Sequence, residues 1–142
     1  MNNTPENKDM SMKLMFIDDD SSSHLYHNIM ATDAGFDGDK LLFFLEVDEA
    51  ISHLQALKEN QKLDEWPNYI FVDINMPFKT GYDFVEEYQD ICPTDQKSKI
   101  YFVSSTKNPA DIEKVRSISI INGFRTKFLD RSYFENIKLQ AQ

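Results

Sequence analysis

Three short strand-like runs in this 142-residue chain each stop on a residue that can do chemistry, and that recurrence restricts the fold more than any other feature. Lys13 to Ile17 leads into Asp18-Asp19-Asp20, Tyr69 to Val72 into Asp73, and Ile100 to Val103 into Ser104. A fourth run, Ile120 to Phe124, stands just before Lys127. Short apolar runs bounded by polar residues read as strands buried on both faces of a parallel sheet. The residues that follow such strands collect at one sheet edge, where ligands bind in open α/β folds. Carboxylates, a hydroxyl and a fixed cation in one place suit a divalent metal and a phosphoryl group.

Helical patterns separate the runs. Ser21 to Ser23 can cap a helix carrying Leu25 and Ile29 at i, i+4 spacing, and Leu41 to Val47 reads as a further buried strand. Asp48 opens a second helix with an apolar stripe of Ile51, Leu54 and Leu57, and Trp66-Pro67 punctuates the way to the next strand. Phe84, Tyr88 and Ile91 mark a third helix; Asn108-Pro109 is a cap and first-turn pair for a fourth with Ile112, Val115 and Ile118 on one face. Asn122-Gly123 reads as a turn near the last strand, and Asp130 caps a final helix with Phe134 and Ile137. Five strand-helix pairs result, which right-handed crossovers build into a parallel sheet covered on both faces.

One domain accounts for the length: residues 12–142 form it, and residues 1–11, polar and aperiodic, read as a loose arm. Cys92 is the only cysteine, so no internal disulfide forms, and neither a signal core nor a transit pattern precedes the domain. These features point to the cytoplasm. No apolar run approaches the roughly 20 residues that span a bilayer, which excludes membrane insertion. A net charge of −9 argues against nonspecific nucleic-acid binding. The charge is uneven: residues 1–105 carry 8 basic and 20 acidic side chains, whereas residues 106–142 carry 7 and 4. The basic third suits an acidic protein surface, although solvated helices alone would account for it equally well.

Several carboxylates held together repel unless one is protonated or a cation neutralises them, and oxygen-rich acidic sites suit Mg²⁺. With that charge screened, one carboxylate can attack phosphorus and form an acyl phosphate while a cation and a hydroxyl steady the transferred oxygens. Asp73, Lys127 and Ser104 are the candidates.

Asp18-Asp19, the segment Asp73-Ile74-Asn75-Met76-Pro77 with Gly81 downstream, Ser104-Ser105 and Lys127 together resemble the receiver domain of two-component response regulators, from about Lys13 to Lys138. Each alone is weak; in order, at successive strand ends, they are specific. The resemblance implies a flavodoxin-like α/β fold, a doubly wound five-stranded sheet of order 2-1-3-4-5. It also implies phosphorylation of Asp73 by a histidine kinase or histidine phosphotransfer protein, with Asp18, Asp19, Asp73 and the Asn75 backbone carbonyl around Mg²⁺. Ser104 takes the place of the family's switch hydroxyl, Phe124 that of its switch aromatic and Lys127 that of its phosphate-pairing lysine. Phosphorylation would then draw Ser104 toward the phosphate and repack the surface of the fourth helix, fifth strand and fifth helix, where an acidic protein would meet Arg116, Arg125 and Arg131. The expected protein is a stand-alone response regulator, a signalling phosphoacceptor in a phosphorelay rather than an enzyme, with no direct nucleic-acid contact.

The family places proline after the active-site lysine, whereas this chain has Phe128, so a trans Lys127–Phe128 bond is expected. Two other functions compete. A receiver-like module acting without phosphorylation is opposed by the intact acidic, hydroxyl and lysine set. An aspartyl-phosphate phosphohydrolase would use Asp18-x-Asp20, but the chain lacks the acidic pair such enzymes carry after the fourth strand. His24 and His27 are spaced like a helical metal pair without further ligands nearby, so a surface or loop-facing role is expected for them, and a structural one for His53.

Overall fold

The computed structural model describes residues 12–95 and 98–141; the expected N-terminal arm lies outside them. β1 (Leu14–Ile17), β2 (Leu41–Phe44), β3 (Tyr69–Asp73), β4 (Lys99–Ser104) and β5 (Ile121–Thr126) form one parallel sheet in the order β2-β1-β3-β4-β5. Five helices connect and follow them: α1 (Ser21–Asp33), α2 (Val47–Glu59), α3 (Gly81–Ile91), α4 (Pro109–Arg116) and α5 (Arg131–Ala141). Among the described residues no helix is long and apolar enough to cross a membrane.

Alternation along each strand divides the interior into two layers. Met15, Ile17, Ile70, Val72, Ile100 and Phe102 pack with Ile51, Leu54 and Leu57 of α2, Phe84 and Tyr88 of α3 and Val115 of α4. The intervening residues Leu14, Phe16, Tyr69, Phe71 and Val103 pack with Ala31 of α1 and Phe134 and Ile137 of α5. Below the first layer Trp66 is buried, its indole N–H donating to Tyr88 Oη at 3.3 Å; the Ser98 N–H donates to the same oxygen at 3.2 Å. β1 lies between β2 and β3, so the chain reverses its winding there and opens a crevice beyond the carboxyl ends of β1 and β3.

Three local expectations fail, each for a tertiary reason. β2 stops at Phe44, because Glu46 caps α2 and its Glu49 side chain accepts from the Leu45 N–H at 3.3 Å, which draws Val47 into the helix. Asn122-Gly123 is not a turn but lies within β5, where the register steps from Ile100↔Ile121 to Tyr101↔Gly123. Asn122 is the extra residue of this bulge, and its side-chain oxygen takes the Ile100 N–H at 2.9 Å. Leu25 and Ile29 face solvent, and the inward face of α1 is instead Ser23, His24, His27 and Ala31.

Candidate functional site

Asp18 directly follows β1 and is buried, its Oδ1 accepting the Asp20 N–H at 2.9 Å. Asp19 beside it is exposed. Asp20 turns away to cap α1, its carboxylate accepting from the Ser22 N–H and the Ser23 hydroxyl. Those hydrogen bonds hold its pKa below the ordinary value. Asp73 ends β3, and its Oδ1 accepts the Asn75 N–H at 3.3 Å. One oxygen from each of Asp18, Asp19 and Asp73 lies within 4.8 Å of the others.

Lys127, immediately after β5, reaches into this cluster. Its Nζ stands 2.8 Å from Asp18 Oδ2 and 3.7 Å from Asp73 Oδ2, and it donates to Ser23 Oγ at 3.3 Å. Burial disfavours the ammonium, but the hydrogen bond and charge of Asp18, with the attraction of Asp73, outweigh it and raise the Lys127 pKa. One cation does not neutralise three carboxylates. Burial and the repulsion of Asp18 push the Asp73 carboxyl up to about 6, against the pull of Lys127. A donor set of crowded carboxylates, one of them reluctant to ionise, fits a small oxygen-preferring divalent cation completed by water.

The neighbouring loops are tightly built. Gly81 begins α3 against the end of β3: a Cβ there would sit 2.9 Å from the Asp73 carbonyl oxygen and 3.2 Å from Ile74 Cα. Glycine therefore lets the helix approach the strand that carries Asp73. Before it, Lys79 N–H donates to Pro77 O at 2.8 Å across Phe78, whose φ of 69° makes a γ-turn of the strained hand and whose ring is 94% exposed. Lys79 anchors this turn through Asp48 at 2.7 Å and Glu87 at 2.8 Å.

Ser104 ends β4, buried, with its hydroxyl accepting the Thr106 N–H at 3.3 Å. Phe124, by contrast, is half-buried on β5 and lines a cleft of about 670 Å³ against Ile112, Val115 and Arg116 of α4. Asp18, Asp73 and Lys127 are thus joined by direct contacts, with Asp19 beside them, whereas Ser104 is engaged with its own loop and Phe124 faces the α4 side. The Lys127–Phe128 peptide is cis, correcting the expected trans bond. Bonds on either side fix this loop: Lys127 N–H to Ser104 O at 2.8 Å and Leu129 N–H to His27 Nε2 at 3.1 Å.

The histidines correct another expectation. His24 and His27 are buried rather than surface-facing, and His24 Nε2 lies 3.0 Å from Phe44 O. His53 packs its ring on Phe44, as a structural role requires. Ser23 and His27 are the contacts that sequence reasoning missed; their i, i+4 spacing was the available signal, masked by the apolar pair Leu25 and Ile29.

No family model and no curated protein matches the chain. Solved structures do. A two-component response regulator from Cytophaga hutchinsonii is 21% identical with a TM-score of 0.75, covering 91% of this chain and 95% of its own. A response regulator receiver protein from Dyadobacter fermentans is 22% identical with a TM-score of 0.75 and coverage of 92% and 97%. The chemotaxis protein CheY4 of Vibrio cholerae is 18% identical, with a TM-score of 0.65 over 92% and 98%. The fold is the flavodoxin-like fold of these receiver domains.

Proposed function

We propose that the protein is a receiver-type response regulator whose Asp73 accepts a phosphoryl group from a histidine kinase or a histidine phosphotransfer protein. The observation that carries this reading is the Lys127 ammonium, 2.8 Å from Asp18 and 3.7 Å from Asp73, at the carboxyl edge of the sheet. A buried cation held beside a carboxylate that burial and Asp18 make reluctant to ionise is suited to meet an incoming phosphate.

Asp18, Asp19 and Asp73, with the Asn75 backbone carbonyl, would hold Mg²⁺, which when bound neutralises phosphate charge. An ionised oxygen of Asp73 then attacks phosphorus; the donor's phosphorus–nitrogen bond breaks, its electron pair stays on the imidazole nitrogen, and an acyl phosphate remains. Lys127 pairs with a phosphate oxygen, and the Ser104 hydroxyl, released from the Thr106 N–H, donates to another. As the resemblance to receiver domains implies, that movement is coupled to an inward shift of Phe124.

Such a response is a population shift, so the phosphate must favour the second arrangement over the first. The α4–β5–α5 face then serves a downstream protein. Arg116, Arg125 and Arg131 are exposed on it, the Arg125 guanidinium lying 5.3 and 5.2 Å from the Tyr101 and Tyr133 ring centres. An acidic partner fits this face, and unchanged partner affinity after charge reversal of the three arginines would refute that assignment. The donor has its own surface: Leu25, Tyr26, Ile29 and Phe128 are exposed apolar residues on α1 and the Lys127 loop. The cytoplasm, where two-component kinases present their phosphohistidine, is the compartment this reading requires.

Intact mass of wild type and Asp73→Asn, incubated with Mg²⁺ and a small acyl-phosphate donor with and without chelator, tests the reading. A single Mg²⁺-dependent phosphoryl adduct on wild type alone is expected. An equal adduct on both refutes Asp73 as acceptor; no adduct on either, with partner kinases included, favours a module that acts without phosphorylation.

A further inference from the structure

The inward face of α1 is unusually polar for a helix against a sheet, and the proposed chemistry uses neither of its two buried histidines, His24 and His27. His27 stacks on Phe16 with ring centres 5.5 Å apart, and lies 5.9 Å from the ring of Phe128 and 6.3 Å from that of Phe134. Its Nε2 accepts the buried Leu129 N–H at 3.1 Å. A ring nitrogen that accepts carries no proton, and burial in this aromatic cage holds the His27 pKa down to about 4. One turn earlier on the same face, Ser23 Oγ accepts from Lys127 Nζ at 3.3 Å. The helix therefore grips the loop at two points, the ammonium of Lys127 and the backbone two residues beyond it.

We infer that His27 is a positioning residue for Lys127, fixing the chain that follows the lysine and, through it, the place of the ammonium between Asp18 and Asp73. Its importance for phosphoryl transfer rests on the function proposed above. The physical requirement is specific. Leu129 is buried, so its N–H needs an acceptor inside the protein. That acceptor must come from the middle of α1 across an apolar layer, and the neutral imidazole offers both the reach and the flat apolar faces that Phe16 and Phe128 meet. A leucine would fill the space and leave the N–H unpaired. A glutamine can restore the acceptor.

The test compares wild type, His27→Leu and His27→Gln, each also in a Lys127→Ala background. Phosphorylation by a small acyl-phosphate donor at saturating Mg²⁺ is resolved into a limiting rate and a donor half-saturation, and normalised to the folded fraction. His27→Leu should lower the limiting rate by about 10- to 100-fold, the usual cost of loosening an outer support or misplacing a reacting group by about 1 Å. His27→Gln should recover most of it. In the Lys127→Ala background the leucine substitution should have no further effect, which a merely structural role would not predict. A second readout needs no phosphorylation: reductive methylation of Lys127 in the magnesium-free protein, followed by peptide mass, should proceed several-fold faster in His27→Leu than in wild type or His27→Gln. Equal limiting rates, an equal loss in the Lys127→Ala background, or unchanged methylation would overturn the inference. Absence of phosphorylation on wild type from the small donor and from partner kinases alike would refute the proposed function instead, and leave the methylation result to decide this one.

Discussion

Replacing Asp73 with asparagine should stabilise the metal-free protein at neutral pH, contrary to the usual effect of altering a polar group in a pocket. The Asp73 carboxyl is pushed to about 6 from an ordinary 3.8, chiefly by burial and then by Asp18. A raised carboxyl pKa means that the folded state holds this proton more tightly than the unfolded state. Its stabilising contribution is fully present below about pH 3.8 and is lost as pH rises through 6. The unscreened loss is about 3 kcal/mol at 1.36 kcal/mol per pH unit, and screening at this pocket mouth reduces it to roughly 1–2 kcal/mol. Asparagine is nearly isosteric, keeps an oxygen for the Asn75 N–H and never ionises. Urea unfolding in chelator at pH 7.5 should therefore show Asp73→Asn more stable than wild type by about 1–2 kcal/mol, or about 3–6 °C in Tm for a chain of this length. The advantage should shrink toward zero by pH 4. His27, whose lowered pKa gives stability the opposite slope between about pH 4 and 6.5, is common to both proteins and cancels in the difference. Saturating Mg²⁺ should reverse the order, since binding at 100 times Kd adds about 2.7 kcal/mol to the protein that binds it. An Asp73→Asn protein that is less stable in chelator at pH 7.5, or an advantage that does not change with pH, would refute the account of crowded charge.

Three other outcomes follow from particular contacts. Tyr88→Phe leaves both the Trp66 indole N–H and the Ser98 N–H without their acceptor and should cost about 2–4 kcal/mol in urea unfolding, while the phosphoryl adduct on Asp73 still forms. Gly81→Ala drives a methyl group toward the Asp73 carbonyl and should cost about 1–3 kcal/mol and weaken Mg²⁺ binding in a calorimetric titration. Phe78→Gly removes the side chain from a positive-φ position that touches little else and should raise stability by about 1 kcal/mol; a loss of stability would mean that the exposed ring has a packing role.

The strands and the residues that end them were legible because both signals are local: an apolar run, then Asp18, Asp73 or Ser104. The stripe of Ile51, Leu54 and Leu57 was equally plain, since its partners are ordinary hydrocarbon. The helix α1 was expected but its inward face was misread, because that face binds through hydrogen bonds to residues about a hundred positions away, Lys127 and Leu129, which no helical period records. Periodicity instead selected Leu25 and Ile29, which the fold leaves outside. Asn122 misled for a related reason. Turn chemistry and bulge chemistry use the same residue types, and only pairing with β4 distinguishes them. The cis Lys127–Phe128 bond, likewise, belongs to a loop closed by contacts from three separate elements.

The single tryptophan of this chain stands at the far end of the molecule from the acidic pocket. Trp66 precedes the amino end of β3 and Asp73 closes its carboxyl end, and the five-residue strand between them spans about 13 Å at 3.3 Å per residue. Sealed from solvent and bonded to Tyr88, the indole is an optical witness to global unfolding and has no direct view of the acidic pocket. Quenching by added cations is thus the wrong assay for occupancy here. A change in its emission when Asp73 is phosphorylated would carry different information: it would mean that the event at one rim of the sheet had been transmitted through the interior to the other.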